Sequence, residues 1–381
     1  MTRFLIAFFS VYSLLHAFVY WRVRVLLPEK WPSHVLLILF MALMVFAPVG
    51  TRLLERADHY TLARAGALVG YSWLGLLFYA FWGFLLIGAA GILCKLGNLL
   101  AGSSLPAFTG PRAALCVLLA VLVINVYGYF EARSVRVERF IIRTAKLPAG
   151  TERLRIAQIS DVHLGLMVGE QRMADILRKV EAENPDIFVS TGDLVDGDMT
   201  RLGALPALFE KLQPRLGKYA ISGNHEVYAG LADSLQAERA FGFTVLTGEV
   251  KTVGNILNIA GVDDPAAGLE ENETEVLGKA QNGLFVLFLK HRPDPAPESL
   301  GLFDLQLSGH THYGQLFPFR YISGMFYPLQ NGPYYLSKGS ILYTSRGSGT
   351  WGPPIRVLAP PEVTIFDLVR QDREIGVEEL H

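Results

Sequence analysis

The sequence predicts an α/β domain preceded by an all-α bundle of about four transmembrane helices. Four long runs free of Asp, Glu, Lys and Arg lie within residues 1–130, short apolar runs alternate with helical patterns after residue 131, and charge is divided unevenly between these parts. Residues 1–130 hold nine Lys/Arg and three Asp/Glu, whereas 131–381 hold 25 and 32, so net charges of +6 and −7 hide within an overall −1. At roughly 100–200 residues per domain, the 381 residues suffice for two folding units, 1–130 and 131–381. A hydrophobic content of 51% with 18% charged residues excludes a disordered or collagen-like chain. The two cysteines, Cys94 and Cys116, sit in apolar runs, which excludes a disulfide framework and a thiolate metal site. The second part is acidic and no basic block is present, so no nucleic-acid partner is expected.

The charge-free runs are Phe4–Trp21, Trp31–Thr51, Ala65–Cys94 and Ala113–Phe130. Each is long enough to cross a hydrocarbon core of about 30 Å, which takes roughly 18–20 residues at about 1.5 Å per residue. Soluble core helices keep a polar stripe, and these runs have none. Tyr20, Trp21, Trp31, Tyr71 and Phe130 lie where interfacial aromatic belts form. No small-residue cleavage site follows the first run, where Tyr20, Trp21 and Arg22 stand, so it reads as an uncleaved span. Four spans put the N-terminus and the C-terminal part on one side. The loops alone give four Lys/Arg on that side against five on the other. Adding Arg133, Arg136, Arg139, Arg143 and Lys146 makes it nine against five and assigns the C-terminal domain to the cytoplasm. His16, His34 and His59 are expected to pack or to sit at the interface.

From Glu131 onward charge density returns. Strands are expected at Val135–Lys146, Leu154–Ile159, Ile187–Ser190 and Lys218–Ile221, separated by helices over Gln171–Ala182 and Gly203–Leu212, with a further helix at Ala232–Phe241; this is the rhythm of βαβ units. Beyond Phe243 the pattern becomes strand-rich: Val250–Thr252, Leu257–Gly261, Leu284–Leu289, Asp304–Leu307, Ile341–Thr344 and Glu362–Leu368. The Gly- and Pro-containing stretch Phe317–Gly339 reads as a long surface excursion.

Five of the nine histidines fall at strand ends in this second part. They occur in Ser160-Asp161-Val162-His163-Leu164-Gly165, Gly223-Asn224-His225-Glu226, Lys290-His291-Arg292-Pro293 and Gly309-His310-Thr311-His312, with Gly192-Asp193-Leu194-Val195-Asp196 beside them. Where the backbone leaves its pleat, closely spaced Asp and His side chains can turn toward one point, and glycine permits close approach. Ligands of α/β sheets sit beyond the carboxyl ends of strands, so five such ends can converge. An inventory of imidazole, carboxylate and carboxamide without thiolate suits Mn, Fe or Zn and exceeds what one ion needs. Two divalent ions sharing a bridging carboxylate would use the whole set, polarising a phosphoryl oxygen and lowering the pKa of a bridging water for in-line attack.

These five blocks, in this order and spacing, resemble the signature of the calcineurin-like metallophosphoesterases, over about Arg133 to Val369. Gly261-Val262-Asp263-Asp264, Ser345-Arg346-Gly347-Ser348-Gly349 and Pro361-Glu362 are similar to the membrane-associated bacterial branch. The resemblance implies a four-layer α/β/β/α sandwich. It implies that Asp161, His163 and His312 bind one ion, that Asn224, His291 and His310 bind the other, and that Asp193 bridges them. His225 would interact with the scissile phosphate and protonate the leaving group. Relatives in this branch continue the last block with two glycines and a glutamine, whereas Tyr313-Gly314-Gln315 stands here, and Lys290 replaces a small polar residue before His291. Asp196 is expected to orient the site or cap a turn, and Glu226 and Asp264 to stabilise turns. Arg346 is either a phosphate clamp or an ion-pair partner, and Gln315 either holds a loop or touches substrate. The expected activity is hydrolysis of a phosphomonoester, phosphodiester or pyrophosphate; attachment to a bilayer points to a lipid-linked phosphate or pyrophosphate as substrate, with a soluble nucleotide or phosphodiester as the other reading. The alternative is a non-catalytic receptor or transport accessory that binds metal and phosphate.

Overall fold

A computed structural model describes residues 2–102, 104, 108–199, 202–268, 272–371 and 376–380. Two compact units are distinguished: one comprises Met1–Phe130 with Gly352–Ile355, the other Glu131–Trp351 with Arg356–His381.

The first unit holds helices α1 (Thr2–Val23), α2 (Trp31–Arg56), α3 (Tyr60–Ala101) and α4 (Pro111–Arg133, its last residues belonging to the second unit), each long and apolar enough to cross a membrane. Leu14, Leu36, Leu43, Leu86, Leu93 and Val123 are exposed; such an apolar exterior is unfavourable in water and natural in lipid. Small residues let the helices approach: a Cβ on Gly70 of α3 would lie 2.9 Å from Ala47 Cβ of α2, and one on Gly83 would lie 2.8 Å from Val117 Cγ1 of α4. Trp73 Nε1 donates to His16 Nε2 at 2.9 Å, and His16 Nδ1 reaches Tyr12 O at 2.8 Å, so His16 has the packing role expected of it.

The second unit runs β1 (Arg136–Thr144), β2 (Arg153–Ile159), α5 (Glu170–Ala182), β3 (Ile187–Ser190), α6 (Leu205–Glu210), β4 (Lys218–Ala220), α7 (Asn224–Ala240), β5 (Thr244–Val245), β6 (Glu249–Val253), β7 (Leu257–Gly261), α8 (Glu273–Gly278), β8 (Phe285–Leu289), β9 (Leu305–Ser308), α9 (Arg320–Phe326), β10 (Gly332–Tyr335), β11 (Ile341–Thr344), β12 (Glu362–Arg370) and β13 (Gly376–Leu380). One sheet has the order β13-β1-β12-β2-β3-β4-β5, the other β10-β11-β9-β8-β7-β6. Both are mixed. β2, β3, β4 and β5 are parallel, as are β7, β8, β9 and β11, while β13, β6 and β10 pair antiparallel at edges.

Side-chain alternation builds the layers. On β2 and β3, Leu154, Ile156, Ile187 and Val189 face Phe285, Leu287, Leu289, Leu305 and Leu307 of the second sheet. Ala157, Ile159 and Phe188 face the other way, toward Met173, Ile176 and Val180 of α5 and Phe209 of α6. On the far side of the second sheet, Val286 and Phe288 pack against Val276 and Leu277 of α8. The result is α/β/β/α, as the resemblance implies.

Three elements differ from expectation. α7 starts at Asn224, eight residues before the expected helix, because Gly230 at φ 119° breaks its helical geometry and disguises the first turn as a loop. The Phe317–Gly339 excursion contains α9 and β10, whose pairing with β11 is invisible locally. β13 pairs with β1 over Arg139–Arg143, where Ile141 and Ile142 are partnered by Glu378 and Val377.

Candidate metal centre

Every site residue named from the sequence lies just past the carboxyl end of a parallel strand. Asp161 and His163 follow β2, Asp193 follows β3, Asn224 and His225 open α7 after β4, His291 follows β8, and His310 and His312 follow β9. Asp161 (φ 50°), His163 (56°), Asp193 (51°), His310 (71°) and His312 (49°) all have left-handed backbone. That geometry costs of order 1 kcal/mol or more per non-glycine residue, and a surrounding network must hold it. The network is visible. His163 N donates to Asp193 O at 3.0 Å, His225 N to Asp193 Oδ1 at 2.8 Å, and His310 N to Asp161 Oδ1 at 2.9 Å. Glycine supplies the clearance: at Gly192, φ 90°, a Cβ would lie 2.7 Å from His291 Nδ1 and 2.8 Å from Gly223 N.

Among the described residues, three groups of donor atoms could hold metal: Asp161–His163–His312, His163–Asp193–His225 and Asp193–His291–His310, with each group's atoms within 4.8 Å of one another. His163 Nε2 lies 3.0 Å from His312 Nε2, and His310 Nδ1 lies 3.2 Å from His291 Nε2. Two nitrogens bound to one cation at about 2.1 Å stand roughly 3.0–3.4 Å apart, so these spacings fit coordination. Among the described residues, buried Asn224 Oδ1 has no hydrogen-bond partner, which suits an oxygen able to ligate a cation. Asn224 stands between Gly223 and His225, both of which lie against Asp193 Oδ1.

Protonation follows from burial and charge. Burial drives the His163 and His310 imidazoles down to about 3 and His312 well below its ordinary value, so they present free lone pairs at neutral pH. Burial raises Asp161 to about 6. It would raise Asp193 as well, but the adjacent His291 holds that carboxylate well below the usual range. Burial opposes a charge on His291, yet Asp193 and Asp161 carry it to about 10. His291 Nδ1 contacts Thr191 O at 2.8 Å, so it carries the hydrogen and Nε2 points at the site. His225 is pulled down by burial and raised further by its Asp196 hydrogen bond at 3.0 Å and by Asp193, reaching about 9.

Surrounding residues acquire definite roles. Glu226, fully buried, accepts N–H groups from Asp193, Val195 and Gly223, so its turn-stabilising role ties two ligand loops together. Asp264 accepts Ala266 N at 2.8 Å and both Nε and Nη2 of Arg292 at 2.7 and 2.8 Å. Arg346 pairs with Glu138 and, at 2.5 Å, with Glu362; it is an ion-pair partner rather than a phosphate clamp. Gln315 holds a loop: its Nε2 donates to Trp351 O and its Oε1 accepts Trp351 N, both at 2.9 Å. Lys290 reaches Glu273 at 2.6 Å. Tyr313 accepts Arg320 Nη1 at 3.2 Å. Arg356 carried no sequence signal: fully buried, it donates to Gly349, Arg346 and Ala359 carbonyls and places Nη2 3.1 Å from His312 Nδ1. Burial lowers its pKa to about 9.

Comparison with known proteins bears on the same residues. A family model described as calcineurin-like phosphoesterase matches residues 154–314. A protein of Aquifex aeolicus described as an uncharacterized metallophosphoesterase is 43% identical over 258 residues, covering 66% of this chain and 98% of its own. A transmembrane protein with metallophosphoesterase domain from Danio rerio is 30% identical over 329 residues, covering 78% and 72%. Among solved structures, the 5'-nucleotidase precursor of Thermus thermophilus overlays with a TM-score of 0.35 at 17% identity, covering 57% of this chain and 54% of its own, so the chain spans about half of that protein.

Proposed function

The chain belongs to the calcineurin-like phosphoesterases, hydrolases acting on phosphoester bonds, and on that premise we propose a membrane-anchored di-metal enzyme acting on a lipid-linked phosphate or pyrophosphate. Asp161, His163 and His312 would hold one divalent cation and Asn224, His291 and His310 the other, with the Asp193 carboxylate placed to serve both. The observation that carries this reading is the position of one oxygen: Asp193 Oδ2 lies 3.9 Å from His163 Nε2 and 3.3 Å from His291 Nε2, facing both halves of the site. Mn, Fe or Zn suits the donor types. Bound there, divalent cations would supply positive charge for the phosphoryl oxygens and an acidified water.

The chain's own residues do the rest. His225 stays protonated at neutral pH, and Asp196 holds its Nδ1 at 3.0 Å, leaving Nε2 to face substrate. From there it stabilises charge gathering on the phosphoryl group and gives its proton to the departing oxygen. Arg356 and Glu226 keep ligand loops in register without touching substrate. Four apolar helices and a relative named as a transmembrane protein support the bilayer as the place of action. The excess of Lys/Arg beside the spans favours multi-pass insertion with the phosphoesterase unit in the cytoplasm.

The test is turnover by detergent-solubilised, metal-loaded protein across phospholipids, lipid-linked pyrophosphates and aryl phosphodiesters. The reading requires at least one lipid-linked substrate to be preferred; turnover of aryl esters alone would leave a phosphoesterase with a soluble substrate.

A further inference from the structure

His225 is flanked by two large rings that its chemistry does not require. Tyr228, one turn further along α7, has its ring centroid 5.5 Å from the imidazole at an interplanar angle of 67°, and Trp351 lies 5.8 Å away at 72°. Residues three apart on a helix share a face, so Tyr228 rises beside His225 by construction. Trp351 arrives from a distant loop whose backbone is gripped at both N and O by Gln315, and Gln315 N in turn donates to His312 O at 2.9 Å. The backbone that bears the ring is therefore tied to the loop that carries a candidate ligand histidine. His225 itself is 12% exposed, whereas Tyr228 and Trp351 are 65% and 53% exposed. Exposed aromatic rings on both flanks of a largely covered histidine offer faces and edges to a further ring.

We propose that Tyr228 and Trp351 form the leaving-group subsite, and that the departing part of the substrate carries a flat unsaturated ring, such as a nucleobase or an aryl group. The inference rests on the reading of His225 as the proton donor, since the leaving group must then emerge beside this side chain. Ring faces and edges carry opposite partial charge, so a planar ring gains from steeply inclined aromatic neighbours what a saturated ring of similar volume does not. Neither side chain bears a charge, which fits an uncharged ring.

The experiment is calorimetric binding of benzylphosphonate and cyclohexylmethylphosphonate to the Mn-loaded full-length protein in detergent. The ligands share the phosphonate charge and differ in ring planarity, and neither needs to be turned over. Wild type should bind the benzyl compound roughly three- to ten-fold more tightly, the range of an aromatic pair beyond its buried area. Trp351→Leu and Tyr228→Leu should each bring the ratio toward one, and Trp351→Phe should keep it. Both side chains are exposed, so folding is not at stake. A wild-type ratio of one, or a ratio indifferent to all three substitutions, overturns the subsite alone. Failure of both phosphonates to bind overturns the phosphate-binding reading beneath it as well.

Discussion

Asp193 and Glu226 are joined back to back: the Asp193 N–H donates to Glu226 Oε2 at 2.9 Å, and that carboxylate also takes the N–H groups of Val195 at 2.9 Å and Gly223 at 2.7 Å. Glu226→Gln replaces one acceptor oxygen with a donor and leaves a buried N–H without a partner. Metal affinity should fall about 10- to 100-fold, as for other supports of ligand loops. Chelator competition measures this, and unchanged affinity would reduce Glu226 to a helix cap.

His225→Ala should lower kcat by roughly 10²- to 10⁴-fold while metal content stays at the wild-type level. Burial lowers the His225 pKa, but the Asp196 hydrogen bond and the Asp193 charge overcome it and bring it to about 9. The acid form is thus present at neutral pH and lost as pH rises through about 9. For esters with poor leaving groups kcat should fall above that pH, and Asp196→Asn should move the fall to lower pH. Superimposable kcat–pH profiles would remove His225 from the proton-donor role.

Glu238 of α7 is fully buried, and among the described residues neither of its oxygens has a hydrogen-bond partner. Burial, followed by the charges of Glu226 and Asp263, raises its pKa well above 4.5. A folded-state value above the unfolded one means that stability is greatest in acid and declines as pH rises past the unfolded pKa. Glu238→Gln cannot ionise. Its Tm should exceed that of wild type at pH 8 and approach it at pH 5; a difference independent of pH would contradict the assignment.

Gly192→Ala forces a Cβ to within 2.7 Å of His291 Nδ1 at a residue with φ 90°. The backbone strain alone should cost about 1–3 kcal/mol. Displacement of His291 from Thr191 O should weaken one cation more than the other. Thermal unfolding and metal analysis of the same preparation check both; a variant with wild-type Tm and metal content would show that the loop has room to spare.

Residue types with one dominant use were legible from the sequence. Asp-x-His, Gly-Asp, Gly-Asn-His and His-x-His pointed to strand ends because short polar side chains beside glycine have little other purpose in an apolar run. The four spans were legible because lipid selects composition directly. Arg356 and Trp351 were not, since each acquires its role from a contact more than thirty residues distant, with His312 and Gln315 respectively. Arg346 was legible only as a pair of alternatives, and Glu138, 208 residues away, belongs to the answer. α9 hides between Pro318 and Pro328 around Gly324, where propensity argues against a helix, and Gln330, which donates to Arg320 O at 3.0 Å and accepts from Ser323 Oγ at 2.9 Å, ties it down from outside the segment.

The most direct measurement is the metal-to-protein ratio of dialysed wild type and Asp193→Asn by elemental analysis. Shared ligation by Asp193 predicts two divalent ions per chain in wild type and fewer than one in the variant. A wild-type ratio of one or zero, or a variant that still holds two, would contradict the bridging carboxylate and the di-metal site with it.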